Sequence, residues 1–445
     1  MYTLLKKAVK KIAVMALLSM VLTTEINAQQ IWYVTQGGNG NQNGTSWINA
    51  ASGVMLQTII SNASLQGGQI WVAEGDYYAP VPDGFRIYDN IELYGGFAGW
   101  ENHLEQRDFN SNITVLKGQQ NQSWHVVSIN NALNTRVDGF HITGGNANGG
   151  ATTYDRSGGG IFVLSSNPIL ANLEIHHNYA NNGYGGGIAV YEGNITMFDC
   201  MIHENEAWQG GGVFLDLGSS FLQNIDIHDN TMSHGGGGMY IECHTATFND
   251  LYIHNNFAYD REGAGIHNAR SYPTLNNCMI RENQLFTTTT PSGSGLHDYD
   301  GISTLNNTTI ADNIGGTAQY VYEYAGGIIC TTKVAAAPMP PIYYVDNLYK
   351  ENAPSASSLE TMQMRIYPNP VDRDENITLV IGNRYGYYQG EINIQLYSID
   401  GRAVYQTRLG KGTNAFTIPP LTAGMYVINA FTADGKRYNS PLVIH

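Results

Sequence analysis

Positively charged side chains are scarce in this sequence, whose 445 residues include 22 Lys and Arg against 37 Asp and Glu, for a net charge of -15. Nucleic acids and anionic membrane surfaces attract an excess of basic groups, so this balance argues against both as direct partners. It also disfavours polyuronates as ligands, unless a divalent cation bridges the two anions. Charged residues of either sign make up only 13% of the chain, and 42% is apolar, which describes an ordered protein.

Cysteine is also rare, with 4 residues in the whole chain. Cys200 and Cys278 occupy the same position of a sequence repeat described below, but they lie three repeats apart. The spacing of stacked strands makes that separation roughly 14 Å, which is beyond the reach of a disulfide. Cys243 and Cys330 also fall on positions whose side chains are expected to point to the apolar interior. We therefore predict that all four cysteines are free and buried.

Long hydrophobic runs are missing after the N-terminus, where no segment is apolar enough to cross a membrane. Residues 1–28 have the order of a secretory signal, with four lysines in 6–11, an apolar run over 12–22 and a plausible cleavage site ending at Ala28. An uncleaved anchor is the alternative, but the run is short for a bilayer span. We therefore predict an exported protein that leaves the cytoplasm through the Sec pathway.

Glycine, in contrast, is abundant, with 51 residues, and much of it recurs in a repeat between residues 157 and 313. Each repeat opens with a glycine cluster that ends on an apolar residue, and it closes with the pattern Ile-x-x-Asn. Both markers advance by the same steps of 27, 25, 26, 27 and 30 residues. The glycine clusters end at Ile161, Ile188, Val213, Met239, Ile266 and Leu296, and the closing residues are Asn178, Asn205, Asn230, Asn256, Asn283 and Asn313.

This period predicts an all-β chain folded as a parallel β-helix. Apolar residues stand five and two positions before each repeat Ile, and the alternation of a strand places them with the Ile on one inward face. The stacked Asn residues predict an internal ladder in which each amide bonds the next coil, and the glycine clusters predict turns that need positive φ. Leucine-rich and hexapeptide solenoids have shorter periods. Over residues 68–352 the period predicts ten or eleven coils.

The flanking segments predict three further parts. Residues 29–67 are expected to form an N-terminal cap with a strand at 31–34 and an amphipathic helix within 47–63, whose apolar side carries Met55, Leu56, Ile59 and Ile60. Residues 353–364 have the composition of a linker. Residues 365–445 lack the repeat and predict a small β-sandwich. Its predicted strands are 365–367, 376–382, 391–398, 402–407, 414–418, 424–431 and 437–444.

The repeat markers resemble those of polymorphic outer-membrane proteins and of the pectate-lyase-like superfamily of right-handed parallel β-helices. Trp47 and the segment Ile-Trp-Val-Ala-Glu-Gly at 70–75 are similar to the opening of the same superfamily. The resemblance covers residues 31–352 and implies a right-handed β-helix, but it implies no particular activity. Neither the paired Asp cluster of β-helix polygalacturonases nor the Asp-rich calcium site of pectate lyases can be identified in the repeat.

The last 80 residues or so contain the segments Tyr-Pro-Asn-Pro at 367–370, Asp-Gly at 400–401 and Gly-Met-Tyr at 424–426. With these segments they resemble the type A sorting domain of the type IX secretion system. The resemblance implies recognition by the outer-membrane translocon and frequent removal of the domain. The cargo is then released or attached to surface lipopolysaccharide. The chain ends in Val-Ile-His, whereas many such domains end in Lys or Arg. The residues that carry the resemblance are Tyr367, Pro368, Asn369, Pro370, Asp400, Gly401, Gly424 and Tyr426.

A column of histidines is the first candidate site. His176, His203, His228 and His254 each follow the repeat Ile, so they point outward, one above another at about 4.8 Å. Imidazoles at that spacing could share a divalent metal ion, or repel one another when protonated near about pH 6. The alternative is a stacked surface ladder of rings without a ligand. Apart from such a cation, no cofactor is predicted.

Aromatic residues in the loops between each repeat Asn and the next glycine cluster are the second candidate site. Differences in repeat length fall in these loops, and in solenoids such a face often binds the ligand. Exposed rings on an Asn-rich face suit stacking on the apolar faces of sugars, although the rings could instead fold back over the rod. The residues predicted to bind a ligand are Tyr154, Tyr179, Tyr184, Trp208 and Tyr259, with Phe257 and Phe286 beside them.

An inward column that turns polar is the third candidate site. The column runs through Val163, Val190, Leu215 and Ile241, and its next two members are Asn268 and Asp298. Polar residues in an apolar column mark either the frayed end of a core or a site. With the neighbouring His267, Arg270 and His297 they make a workable acid–base set for a lyase or hydrolase.

These features predict an exported adhesin or glycan-binding protein, displayed on the cell surface or secreted. Its expected partners are the type IX machinery and a glycan or host matrix, with surface lipopolysaccharide as a possible anchor. A polysaccharide lyase or glycoside hydrolase built on the same rod is the first rival hypothesis. A purely structural surface protein is the second.

Overall fold

The computed structural model describes residues 30–323, apart from 120–121, 150, 260–262 and 287–292, and residues 344–345. Within the C-terminal part it describes 363–367, 376–383, 386–387, 390–398, 403–410, 415–417, 421, 424–433 and 436–444. The chain divides into two compact units, Met1–Ala353 and Pro354–His445. The predicted signal over 1–28 and most of the predicted linker over 353–364 lie outside the described residues, and the last two linker positions already belong to the strand Gln363–Tyr367.

The first unit is a parallel β-helix of about nine turns, fewer than the ten or eleven predicted. Beyond the strand Ala318–Glu323 the predicted coils fall almost entirely on residues outside the described part of the chain. Each full turn contributes to three long faces and one short face, which we number in the order in which the chain meets them after the glycine cluster. From the strand Ile31–Thr35 to the strand Ala318–Glu323, the described strands of successive turns pair in parallel, as the repeat predicts. Tyr344–Val345, which falls within the predicted coils, pairs antiparallel with Ala318–Glu323.

The strands are short because the chain turns a corner after each face, although three of the described strands continue around corners onto more than one face. Val213–His228 takes part in faces one to three, Met239–Asn249 in faces one and two, and Thr196–His203 in faces two and three. Besides these, the first face contains Phe85–Ile87, Val127–Asn130, Ile161–Leu164, Ile188–Tyr191, Ile266–Ala269, Gly293–Tyr299 and Ala318–Glu323. The second face contains Ile31–Thr35, Gly68–Ala73, Ile91–Phe97, Arg136–Asp138, Ile169–Ala171, Thr196–His203, Thr274–Asn276 and Thr304–Asn306.

The third face follows the second corner, and the strand Thr196–His203 reaches it from the second face. Its other members are Gly75–Tyr78, Thr114–Lys117, His141–Thr143, Glu174–His176, Tyr252–His254, Met279–Arg281 and Thr309–Ala311. The fourth face lies between the repeat Asn and the next glycine cluster, where loops were expected. It is a six-stranded sheet of Tyr179–Tyr184, Glu206–Gln209, Thr231–Met232, Phe257–Ala258, Gln284–Leu285 and Ile314–Gly315.

The interior consists of the apolar columns that the repeat predicts. Burial of these side chains in one continuous cluster is the main source of stability, because each turn can bury its apolar face only against its neighbours. Cys200 and Cys278 are free and buried among them. The fully buried members of the two clearest columns are Leu170, Met197, Leu222, Phe248 and Leu275, and Ile175, Ile202, Ile227, Ile253, Ile280 and Ile310.

The corners between faces are built largely by residues other than glycine that adopt positive φ. Asn and Asp tolerate this left-handed conformation best, and they fill most of the corner between the second and third faces. The members of that corner are Asn172, Asp199, Asn224, Asp250, Asn277 and Asn307, with φ between 48° and 57°. The sequence analysis had predicted positive φ only at the glycine clusters, where Gly158, Gly185, Gly210, Gly236 and Gly263 do adopt it.

The prediction that all four cysteines are free is wrong for Cys243. This residue occupies the corner between the first and second faces, with φ 49°, so it does not belong to an inward apolar column. Its side chain is half-buried and disulfide-bonded. Cys330 lies outside the described residues.

The repeat Asn residues form the predicted ladder, which runs through six turns inside the rod. Each side-chain amide donates to the side-chain carbonyl of the Asn in the next turn, at 3.0 Å from Asn178 to Asn205 and 3.0 Å from Asn205 to Asn230. The same carbonyl also accepts the backbone N–H of the preceding Asn, at 3.1 Å for Asn178. Gln319 ends the ladder, where its side-chain carbonyl takes the bonds of Asn313 at 2.8 and 3.0 Å.

The third glycine of each cluster is required by this ladder. A Cβ on Gly212 would lie 2.7 Å from the carbonyl oxygen of Gly238 and 3.1 Å from the amide nitrogen of Asn230. A Cβ on Gly160 would meet Asn178 in the same way, at 2.9 Å. The two sequence markers of the repeat are therefore two halves of one contact, since the amide of each Asn packs against the bare Cα of the glycine that opens the same repeat.

The N-terminal end of the rod is covered by a short helix, as predicted, although the helix is smaller than expected. The α-helix spans Leu56–Ala63, and its Leu56, Ile59 and Ile60 join the main apolar cluster. Met55 does not belong to it: this residue ends the 3-10 helix Gly53–Met55 and is exposed. Trp47–Asn49 and Leu104–Gln106 are 3-10 helices, and Ala51–Ser52 is a short strand beside Ile31–Thr35. Among the described helices, none has the length and apolar character that a membrane span requires.

The C-terminal unit consists of antiparallel strands at the predicted positions. One sheet contains Gln363–Tyr367, Asn376–Asn383, Gly386–Tyr387 and Ala415–Thr417, and the other contains Ile392–Ser398, Ala403–Leu409, Gly424–Thr432 and Arg437–Ile444. In the second sheet, Ile394, Leu396, Ile428 and Leu442 are buried. The prediction of a small all-β domain is confirmed, and Gly386–Tyr387 is an additional short strand.

We expect Asn230→Ala to lower the free energy of unfolding by roughly 2–3 kcal/mol, because the substitution leaves the buried N–H of Asn205 without an acceptor. Thermal and denaturant unfolding followed by circular dichroism would measure the change. Asn181→Ala is the matched control, since Asn181 is an exposed amide on the fourth face. Equal effects of the two substitutions would contradict the role assigned to the ladder.

Candidate functional site

The four predicted histidines form a continuous stack on the outside of the third face. Their ring centroids are 5.2, 4.9 and 5.0 Å apart from His176 through His203 and His228 to His254, with interplanar angles of 9°, 3° and 21°. The lone pairs of an imidazole lie in the plane of its ring, so those of parallel stacked rings do not converge. This geometry does not bring the four side chains around a single ion.

His141 extends the stack by one turn, and the sequence analysis missed it because the turn that contains it precedes the regular repeats. Its ring lies at 88° to that of His176, with the centroids 6.2 Å apart. Its Nδ1 is 3.5 Å from Oε2 of Glu174, and Oε1 of the same carboxylate is 3.2 Å from Nε2 of His203. His141, Glu174 and His176 offer three ligand atoms within 4.8 Å of one another.

The electrostatics of the stack differ from one ring to the next. Burial, together with the neighbouring imidazoles, lowers the pKa of His176 to about 4 against the opposing charge of Glu174. Burial acts in the same direction on His203, but the hydrogen bond and charge of Glu174 outweigh it and raise the pKa of His203. The hydrogen bond from His203 lowers the pKa of Glu174. Near neutral pH, Glu174 is therefore an anion and His176 a neutral imidazole.

The predicted aromatic residues divide into two groups. Tyr154 and Tyr184 pack over the first face, where Tyr154 lies edge-on to Tyr191 at 5.2 Å and Tyr184 is 4.6 Å from Phe214. Burial raises the pKa of Tyr184. Tyr154 remains exposed at its outer side, but both rings help to cover the rod, as the alternative interpretation allowed.

The second group belongs to the outside of the fourth face. Trp208 and Tyr259 are exposed, and Tyr179 is half-buried at the start of the same sheet. Trp208 stacks on His234 at 4.8 Å and 7°, and Tyr259 stacks on Phe286 at 5.3 Å and 13°. The residues preceding Trp208 and Tyr259 are paired through one intervening strand, so the two rings lie two turns, or about 10 Å, apart.

The five residues of the predicted catalytic group do not form one cluster. Alternation along the strands places Asn268 and Asp298 inside the rod. It places His267 and His297 on the outside of the first face, where their rings stack at 5.4 Å and are buried. Arg270 adopts φ 52° at the following corner and forms an ion pair with Glu242.

Asp298 is held inside the rod by hydrogen bonds. Its carboxylate accepts the amide of Asn268 at 2.7 Å, the hydroxyl of Ser303 at 2.7 Å and the hydroxyl of Tyr320 at 2.7 Å. Burial still raises its pKa, against these donors. The side chain is fully buried, so its contacts are with the protein itself. Burial, with the charge of His267, holds the pKa of His297 well below its usual value, and its Nε2 lies 3.7 Å from a carboxylate oxygen of Glu323.

Two acidic residues on the outside of the first face were not singled out by sequence reasoning. Asp216 and Glu242 are register partners on adjacent strands, with their Cα atoms roughly 5 Å apart. Burial and the charge of Glu192 raise the pKa of Asp216 to about 6, although Arg270 acts in the opposite direction. Both acidic residues stand three positions after the apolar residue that ends a glycine cluster, so the repeat itself aligns them. This alignment indicates a perturbed carboxyl group only when the neighbouring loops are known to bury it.

The comparisons with known proteins assign the C-terminal unit. Residues 365–445 match the family described as the secretion system C-terminal sorting domain. This unit is a type IX sorting domain. The sorting domain indicates export by type IX secretion to the cell surface or the medium. No curated protein matches the chain.

Three solved structures are similar to this chain. Tailspike protein 2 of Escherichia coli O157:H7 bacteriophage CAB120 is 10% identical, with a TM-score of 0.35 over 94% of this chain and 68% of that one. The tailspike of Acinetobacter phage vB_ApiP_P1 is 10% identical, with a TM-score of 0.28 over 92% and 78%. The A-module of the Azotobacter vinelandii mannuronan C-5 epimerase AlgE6 is 16% identical, with a TM-score of 0.18 over 61% and 95%.

Within the sorting domain, the described residues of the predicted motif lie on strands. Tyr367 ends Gln363–Tyr367, and Gly424 begins the long strand Gly424–Thr432, in which Tyr426 is buried. Pro368, Asn369, Pro370, Asp400 and Gly401 lie outside the described residues.

We expect Asp216→Asn to stabilise the protein at high pH but not at low pH. Because the folded state raises the pKa of Asp216 from 3.8 to about 6, ionisation opposes folding, and the native protein loses stability as the pH rises between these values. The midpoint difference between variant and native protein should therefore grow from near zero at about pH 4 to a plateau above about pH 6. Thermal unfolding across this range measures it, with the exposed Glu105→Gln as control. A difference that does not change with pH would contradict the assignment.

Proposed function

We propose that the protein is an exported glycan-binding adhesin whose ligand lies along the outside of the fourth face. The observation that carries this proposal is the set of exposed rings on three of the four turns from Trp208 to Phe286. Trp208, Tyr259 and Phe286 have exposed fractions of 36%, 59% and 49%. Large aromatic side chains are costly to leave in water, and flat exposed rings suit the apolar faces of sugar rings.

The rings are held in place before any ligand arrives. Parallel stacking of Trp208 on His234 and of Tyr259 on Phe286 restricts their rotation, so binding loses little side-chain entropy. The two stacked pairs lie on one sheet, whose strands are fixed by hydrogen bonds to the turns above and below. A chain of sugars running along the rod would meet rings at intervals of about two turns.

Polar groups beside the rings match the hydroxyl groups of a sugar. Glu206, Thr231 and Gln284 each occupy the outward position at the start of a fourth-face strand, and all three are partly exposed. Such groups orient a ligand that the rings hold by contact area. The net charge of -15 favours neutral or basic glycans over uronate polymers.

A glycoside hydrolase acting on the outside of the first face is the second candidate function, and the pair Asp216 and Glu242 favours it. The two residues are register partners whose Cα atoms lie roughly 5 Å apart on adjacent strands, and a pair of carboxylic acids is the set that glycoside hydrolysis uses. Asp216, with a pKa of about 6, is suited to donate a proton to a leaving group. Glu242 lies beside the guanidinium of Arg270 and would act as the nucleophile.

Export is proposed to proceed in two steps, with the predicted signal at 1–28 directing the chain through Sec and the sorting domain directing it through the outer membrane. We expect a chain truncated after residue 364 to accumulate in the periplasm, because the segment matched as a sorting domain begins at 365. Cell fractionation and surface proteolysis would measure this. Surface exposure of the truncated chain at the level of the full chain would contradict it.

We expect Trp208→Ala and Tyr259→Ala each to weaken glycan binding about tenfold, or ~1.4 kcal/mol, because each removes an exposed ring. A glycan array would first identify a ligand, and calorimetry would compare the variants. Phe198→Ala is the matched control, since Phe198 packs against Phe221 on the outside of the second face. Failure of the native protein to bind any glycan would refute the proposal and favour a structural role.

The hydrolase has a separate test. Incubation with a panel of neutral polysaccharides should release new reducing ends, and both Asp216→Asn and Glu242→Gln should reduce the rate by at least a hundredfold while leaving glycan binding intact. Absence of new reducing ends from every polysaccharide bound would exclude this second function and leave the adhesin.

A further inference from the structure

We propose that His141, Glu174 and His176 form a binding site for a divalent metal ion of the Zn²⁺ class on the outside of the third face. The site is distinct from the aromatic surface of the fourth face and does not depend on the glycan-binding proposal. Two imidazole nitrogens and one carboxylate oxygen are a donor set that such ions accept, with a further position left for water or an outside ligand.

Ring orientation separates this site from the rest of the histidine stack. His176, His203, His228 and His254 lie nearly parallel, at interplanar angles no greater than 21°, so their in-plane lone pairs point side by side. The ring of His141 is instead turned by 88° to that of His176. Perpendicular rings can direct their lone pairs to one point, which parallel rings at about 5 Å cannot.

The carboxylate of Glu174 lies between the two perpendicular rings. Its Oε2 is 3.5 Å from Nδ1 of His141, and the three candidate ligand atoms lie within 4.8 Å of one another. Zn²⁺ binds nitrogen and oxygen at about 2.0–2.2 Å, so small rotations of these half-exposed side chains would bring all three into its coordination shell. Glu174 and His176 are fixed to one strand, and His141 to the strand paired directly with it.

Neighbouring groups supply the outer shell that such sites need. His203 bonds Oε1 of Glu174 at 3.2 Å, which orients the carboxylate and leaves Oε2 towards His141. His177 lies 2.8 Å from His176, Nδ1 to Nδ1. When the Nδ1–H of His176 donates to His177, its Nε2 carries the free lone pair that a metal ion requires.

The other end of the stack lacks these features. His228 and His254 each bond a single carboxylate, Asp229 at 2.8 Å and Asp226 at 3.0 Å, and their rings are parallel. They share the column, the residue type and the acidic neighbours of the proposed site, but not the perpendicular third group. His228 therefore provides a matched control for the geometry.

Calorimetric titration of the full chain, freed of metal with a chelator, with ZnCl2 at pH 7.5 tests the proposal. We expect one saturable site per chain in the native protein and in His228→Ala. His141→Ala, Glu174→Gln and His176→Ala should each bind at least tenfold more weakly. Unchanged thermal midpoints without metal would show that the variants are folded. No saturable site in the native protein, or equal losses in His228→Ala and His141→Ala, would overturn the proposal.

Co²⁺ provides a measurement that needs no variant. Bound by two imidazoles, one carboxylate and water, it should show the intense visible absorption of a four- or five-coordinate ion, at one equivalent and displaced by Zn²⁺. A spectrum identical to that of Co²⁺ in buffer would overturn the proposal even if weak heats of Zn²⁺ binding were seen.

Discussion

The contact between each repeat Asn and the glycine of the same cross-section is the constraint on which the rod depends. The Asn side chain satisfies buried backbone carbonyls of its own turn and of the preceding turn, as Asn205 does by donating to His203 and Ile175. It also donates to the side-chain carbonyl of the Asn in the next turn, which for Asn205 is Asn230. It can do so only because the facing glycine has no side chain. An unpaired polar group inside a solenoid is costly, so this amide sets the register of the six turns that the ladder links and thereby the vertical alignment of their outer columns.

That alignment turns small sequence differences into continuous outer surfaces. A residue type repeated at one position of the period becomes a stack, as the histidines of the third face and the rings of the fourth face do. One residue that differs in orientation or charge from the others in its column gives that place on the surface a chemical property of its own. The ring of His141 is rotated out of the parallel stack, so its lone pairs can point to the same place as those of its neighbours. The carboxylate of Asp216 lies near Glu192 and has a raised pKa.

The candidate sites were predictable to different degrees. The histidine column and its outward direction follow from the residue after each repeat Ile, because strand alternation is strict. The same rule places Asn268 and Asp298 inside and His267 and His297 outside, which separates a group that looks contiguous in sequence. The hydrogen bonds that satisfy Asp298 come from Ser303 and Tyr320, and no spacing rule connects these residues. The pairing of Glu174 with His141 and His203 likewise depends on contacts between turns.

The sequence by itself determined the solenoid, its apolar interior, the Asn ladder and the sorting domain, because each is written as a local period or motif. Only the tertiary structure decided that the segments between each repeat Asn and the next glycine cluster form a fourth sheet. It also decided which aromatic rings cover the first face and which remain exposed. It also decided that Cys243 occupies a corner and is disulfide-bonded. The physical reason is that these outcomes depend on what neighbouring turns and loops leave uncovered. Burial, ring orientation and pKa are properties of that packing and not of the period.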